Sequence, residues 1–204
     1  MVASLEDFLK YEDGVSLTEA LLVTPIVLLV FTAFIELGFA TFQWNQAVTA
    51  MQHGARMLAV SEPMLADMSY LTSDYPASEG GPVPNANISV SCGAGTGACD
   101  AVQMQRLLTG SDSSCAYAAG TRPGMCDIFP RITANTLLIT YYRSGLGYVG
   151  RPDGPVLSIT VELRNLTFNF LFLGRFLPTS VLSIPAHPVT ITSEDMSSCK
   201  NECI

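Results

Sequence analysis

The sequence predicts an α+β protein in which a long N-terminal transmembrane α-helix extends into a small antiparallel-sheet domain held by disulfides. Three observations carry this: an apolar run of membrane length near the start, four short alternating runs farther along, and six cysteines that all follow the apolar run. Hydrophobic residues make up 49% of the 204 positions and charged residues only 14%, against a typical ~25% charged. A disordered tail is excluded, and an ordinary soluble enzyme chain fits poorly. Ten Lys+Arg against 18 Asp+Glu leave a formal net charge of -8, and Lys10 and Lys200 are the only lysines. No basic stripe exists to follow a phosphate backbone, so nucleic acid is not a partner. The length accommodates one membrane segment and one modest globular domain.

Between Asp13 and Arg56 the only formal charges are Glu19 and Glu36, and residues 20–35 (ALLVTPIVLLVFTAFI) contain nothing more polar than threonine. Taken as residues 15–42, the segment covers the ~20 residues a helix needs to cross ~30 Å of hydrocarbon. A buried soluble helix rarely stays apolar around its whole circumference for so long. A cleaved secretory signal has a shorter apolar core and a basic flank, whereas residues 1–14 carry Glu6, Asp7, Glu12 and Asp13 against Lys10. Farther on, Ala40, Trp44, Ala47, Met51, Ala55 and Leu58 recur at spacings of three and four. One rod over residues 16–60 is implied, ~65 Å long at 1.5 Å per residue. Its amphipathic continuation, residues 43–72 with a short helix at 63–71, is the part that can pack on a globular domain. Pro25 removes a backbone donor and crowds the carbonyl of Leu21, at a cost of ~3 kcal/mol unless neighbouring helices absorb it. Glu19 and Glu36 each cost ~2.5–3.5 kcal/mol at mid-membrane. Glu36 reads most simply as lying at the far interface; Glu19 is less easily accounted for.

Residues 73–86 are a loop, marked by Gly-Gly, Pro, Asn and Ser, and residues 87–204 form the head. Residues 87–92, 136–142, 156–163 and 189–192 alternate as strands do. Residues 101–108 predict a short helix between Asp100 as N-cap and Gly110 as stop. Residues 168–177 (FNFLFLGRFL) admit three readings: domain core, a subunit contact, or a touch on the membrane surface. Cys92, Cys99, Cys115, Cys126, Cys199 and Cys203 imply an oxidising compartment for the head. Spacing groups them 92/99, 115/126 and 199/203, although six cysteines allow 15 connectivities. A zinc site is the rival reading, disfavoured because the spacings are not the usual C-x₂-C pairs.

No catalytic constellation stands out, and no cofactor or metal is implied. His53 and His187 read as solvated or packed. Residues 93–97 (GAGTG) are not followed by the Lys-Ser/Thr of a phosphate loop, so a disulfide-bounded turn is the better reading. The triplets at Asn87 and Asn165 match the glycosylation pattern but arise readily by chance.

The block Glu12-Asp13-Gly14-Val15-Ser16-Leu17-Thr18-Glu19 resembles a type IV prepilin processing site: a polar leader, residues 1–14, ending in Gly, then an apolar helix with Glu as its fifth residue. Continuing through Ile35-Glu36-Leu37-Gly38 and Gly54-Ala55-Arg56-Met57-Leu58-Ala59-Val60, the segment resembles the TadE-like family of minor pseudopilins in tight-adherence (Tad) pilus systems. The late strand pair followed by Glu194 is similar to that family's tail. The resemblance implies a pilin-like fold and cleavage between Gly14 and Val15 by a membrane prepilin peptidase. It also implies that Glu19 neutralises the new terminal amine of an adjacent subunit. The implied partners are other pilin and pseudopilin subunits, the peptidase, the inner-membrane assembly platform and membrane lipid. The implied location is a single pass in a bacterial inner membrane with the head periplasmic, or within an extracellular pilus. Three departures accompany the match: Ala20 where major Tad pilins usually carry tyrosine, Phe39 where the family often has arginine, and a leader that is acidic on balance, with Lys10 its one basic residue, where similar leaders are basic. A single-pass envelope receptor or binding module is the alternative, and a membrane-tethered enzyme the third reading.

Overall fold

An uninterrupted supply of Leu, Val, Phe and Ala dictates the first element. In the computed structural model, which describes residues 13–65, 67–151, 155–172, 174, 183–185 and 187–193, helix α1 runs Asp13–Ala59, 47 residues with Pro25 inside it. The threonine hydroxyls of its apolar half turn back on the helix: Thr24 donates to the Ala20 carbonyl at 2.6 Å, Thr32 to Leu28 at 2.8 Å, and Thr41 to Leu37. A hydroxyl satisfied in this way needs no water, which lets it sit in hydrocarbon. The helix ends at Ala59, one residue before the expected end of the rod at residue 60. Pro63 explains the stop, since it has no N–H to offer and disfavours helical backbone at the residue before it. Helical structure resumes only as α2, Ser69–Thr72, which buries Leu71. Asp67 starts that turn by accepting the Ser69 N–H at 2.8 Å.

The chain divides into two compact units. One comprises Met1–Phe42 with Asn169–Thr179, and the other Gln43–Phe168 with Ser180–Ile204.

The second unit is built on an antiparallel meander in the order β1-β2-β3-β4, with β1 Ser89–Gly93, β2 Leu137–Tyr142, β3 Ser158–Leu163 and β4 Val189–Thr192. Register pairs Cys92 with Ile139, Tyr141 with Ile159, and Ile139 with Val161. Because side chains alternate along a strand, these residues share one face, and all of them are buried. The other face is a ladder of hydroxyls: Ser91 meets Thr140 at 2.9 Å and Thr160 meets Thr190 at 2.8 Å. Between β1 and β2 lies α3, Ala101–Thr109, whose N-cap Asp100 accepts the N–H groups of Val102 and Gln103, each at 2.9 Å. Gly110, at φ 66°, closes it in a conformation that costs glycine no Cβ clash. A further turn, α4 at Met125–Ile128, is opened by Asp127 accepting the Gly124 N–H at 2.7 Å.

Cys92 is bridged to Cys99 and Cys115 to Cys126. Cys199 and Cys203, like Glu194, lie outside the described residues. Just past β2, Arg143 is buried and pins the α2 segment: it donates to the Leu71 carbonyl at 2.9 Å and grips both carboxylate oxygens of Asp74, with Nη2 to Oδ2 at 2.7 Å. Its guanidinium carbon also stands 5.6 Å from the centre of the Tyr75 ring.

Candidate membrane anchor and assembly site

The first unit is where the chain departs furthest from an ordinary soluble protein. Side chains of α1 from Leu17 to Ile35 are exposed on nearly every face, Leu22 to 72%. Leaving that many Leu, Val, Ile and Phe side chains in water would forgo roughly 1.5–3 kcal/mol for each one. A hydrocarbon surround removes that penalty, and helix Leu17–Ala59 contains an 18-residue window of mean hydropathy 2.4. One N-terminal apolar helix of this kind fits a single-pass membrane anchor.

Gly14 and Val15 fall in the first turn of α1. Glu19, five positions after Gly14, has an exposed side chain on the same apolar helix.

Glu36 is different. It is 1% exposed, and its carboxylate accepts the backbone N–H of Leu171 at 3.0 Å and that of Phe172. Hydrogen bonds to an ionised acceptor are each worth about 1.5–3 kcal/mol, comparable to the ~2.5–3.5 kcal/mol that placing the acid at mid-membrane would cost. A simple interfacial position, the sequence reading of Glu36, is therefore incomplete: this acid holds a turn of its own chain. The same contact sorts the apolar cluster at 168–177. Phe168 is buried in the second unit, as domain core should be, whereas Leu171 and Phe172 are exposed in the first. Leu173 and residues 175–177 lie outside the described residues.

In the second unit, the remainder of α1 buries Gln43, Ala47, Ala50, Met51, Gly54, Ala55, Leu58 and Ala59. The stripe enters through Gln43 rather than Trp44, because Arg131 Nη1 donates to the Gln43 side-chain oxygen at 3.1 Å and makes that amide buriable. Gly54 provides a close crossing: a Cβ there would stand 2.4 Å from Met125 Sδ. Beside it, His53 Nε2 donates to the Pro123 carbonyl at 2.8 Å, so this imidazole has a packing role. His187 is exposed outside any element.

A cleft of about 670 Å³ opens between the 93–99 turn and α3, walled by Gly95, Thr96, Met104 and Leu108. Its lining residues include no carboxylate, imidazole or free thiol. Among the described residues no group of three or more His, Cys, Asp or Glu side chains is placed to hold a metal ion.

The model of the TadE-like protein family matches residues 14–56, from the glycine in the first turn of α1 through the Gly54 crossing. No curated protein and no solved structure matches the chain.

Proposed function

We propose that this chain, TadE-like over residues 14–56, is a minor pseudopilin of a Tad-type pilus: a structural subunit that contributes to pilus assembly and adhesion. TadE-like proteins are structural components of Tad pilus systems and are not known as enzymes. The observation that carries the reading is Glu19, an exposed acid five residues past Gly14 on a helix otherwise made for hydrocarbon.

A prepilin peptidase cuts between Gly14 and Val15, removing residues 1–14 and leaving an amine on Val15. Glu19 then meets the amine of a neighbouring subunit. At ~4 Å and an effective dielectric constant of about 20, that pair attracts by about 4 kcal/mol, more than the ~2.5–3.5 kcal/mol that the acid would cost even at mid-membrane. Either charge alone lacks that compensation, so the pair sets the register of neighbouring helices. The head, with its bridged cysteines, faces the oxidising periplasm. Its partners are other pilin subunits, the peptidase, the assembly platform and lipid.

Mass measurement of the membrane-extracted protein tests the cut. The wild-type chain should lack residues 1–14, and Gly14→Leu should retain them; a wild-type mass that still includes residues 1–14 would overturn the processing step. An intact Met1 on the mature protein would favour a membrane-anchored receptor instead. Glu19→Ala should insert and fold but fail to assemble, and undiminished piliation in that variant would remove the amine-pairing role.

A further inference from the structure

The second excursion of the chain into the first unit has no counterpart in the pilin reading. Leu171 and Phe172 belong to the same compact unit as the anchor, and their side chains are 55% and 53% exposed. Their backbone N–H groups point the other way, onto the Glu36 carboxylate. A turn whose two N–H groups are engaged in this manner, with its apolar side chains exposed, suits a surround that offers no hydrogen-bond acceptors.

The position of Glu36 along α1 says which surround. A span entered at Leu17 rises 1.5 Å per residue and reaches the ~30 Å limit of the hydrocarbon at about Glu36 or Leu37. Phe34, Ile35 and Leu37 around it are exposed and apolar. The side chains of Leu171 and Phe172 therefore continue the apolar surface of the anchor at the level where it leaves the bilayer.

We propose that Leu171 and Phe172 are a second, shallow membrane contact, a two-residue apolar wedge that Glu36 fastens to the anchor and that inserts into the acyl-chain region just below the lipid headgroups. The occupant of this surface is lipid. The proposal rests on α1 being a membrane anchor, and it gives Glu36 a function separate from that of Glu19: Glu19 meets another subunit, while Glu36 sets the depth of its own chain.

Trp44 is the single tryptophan, so depth can be read by fluorescence in a Trp44→Phe background. The full chain, reconstituted in phosphatidylcholine–phosphatidylglycerol vesicles, carries either Phe172→Trp or, as a deep reference, Leu22→Trp. The Trp at 172 should emit to the blue of free tryptophan and be quenched most by lipids brominated near the headgroup end of the acyl chain. The Trp at 22 should be quenched most by lipids brominated near the chain terminus. Adding Glu36→Ala should release the wedge, raising iodide quenching at position 172 several-fold and abolishing quenching by brominated lipid. Glu36→Gln, which keeps one acceptor oxygen, should fall between. Free access of iodide to position 172 in the Glu36 chain would overturn the proposal, as would shielding from both iodide and brominated lipid, which would mean a protein contact. If the Trp at 22 also escapes brominated lipid, the anchor reading fails; if only the Trp at 172 does, the wedge fails alone.

Discussion

Gly54 lies inside a helix, where replacing glycine by alanine ordinarily stabilises a protein by about 0.5–1 kcal/mol. Here the opposite sign is expected. A Cβ on residue 54 would stand 2.4 Å from Met125 Sδ, 2.9 Å from its Cγ and 3.0 Å from its Cε. The sulfur must retreat by roughly 1 Å to reach an ordinary contact distance of about 3.5–4 Å. The backbone that carries it is held on several sides. Met125 is fully buried, its neighbour Cys126 is bridged to Cys115, Asp127 ties the start of α4, and His53 holds Pro123 against the same stretch of α1. Overpacking of this kind costs about 1–3 kcal/mol, which outweighs the propensity gain and leaves Gly54→Ala destabilised by about 1–2 kcal/mol. The assay is thermal unfolding of the full chain in detergent micelles, followed by near-ultraviolet circular dichroism, where the transition should fall by about 2–8 °C. Met125→Ala alone should cost about 2–5 kcal/mol through its cavity. Combined with Gly54→Ala it should cost less than the sum, because the added methyl then occupies vacated space. An unchanged or raised transition in Gly54→Ala, or strict additivity of the pair, would refute the close crossing.

Two further predictions concern pH. Tyr141 is buried, and its hydroxyl accepts the Met64 N–H at 3.0 Å; burial pushes its ionisation up to about 12. The folded state thus holds the proton more tightly than the unfolded one, whose tyrosine ionises near 10. Stability from this group is complete below about pH 10 and is lost as pH climbs toward 12, by roughly 2–3 kcal/mol. Tyr141→Phe should be less stable at neutral pH by about 1–3 kcal/mol, since a buried N–H loses its acceptor, yet decline less steeply between pH 10 and 12 in denaturant titrations. At the acid end, the Arg143 guanidinium beside Asp74 holds that carboxyl below its usual value. Its contribution is therefore present above about pH 4 and disappears as pH falls through the lowered folded value. Asp74→Asn should melt below wild type at neutral pH, and the gap should close as the pH is taken below about 4; a gap independent of pH would show that the ion pair contributes nothing through charge.

What could be read in advance was whatever has a local cause. The apolar run and its two acids foretell α1, period-two alternation foretells the four strands, and Asp100 with Gly110 bounds α3 because capping is chemistry between residues two to four apart. Four-residue α4 escaped notice, since one turn carries no periodicity. Trp44 looked like a stripe residue and Gln43 did not, because the arginine that makes Gln43 buriable is 88 positions away. The same reason hid the contact of Glu36 with the 171–172 turn. Glu36 binds backbone N–H groups 135 and 136 positions later, and every residue except proline has such a group, so no residue type announces the contact. Composition alone does not separate Phe168, which is core, from Phe172, which is exposed.

The two observed bridges join cysteines only 7 and 11 positions apart. Under the proposed topology, a chain threaded outward with its head following the anchor would deliver Cys99 shortly after Cys92, before Cys115 has emerged, and Cys126 shortly after Cys115. Pairing in order of arrival already yields the native connectivity for these four thiols. In the proposed topology, export and oxidation would then proceed side by side, with no need to reshuffle these four thiols before β2 comes to rest on β1.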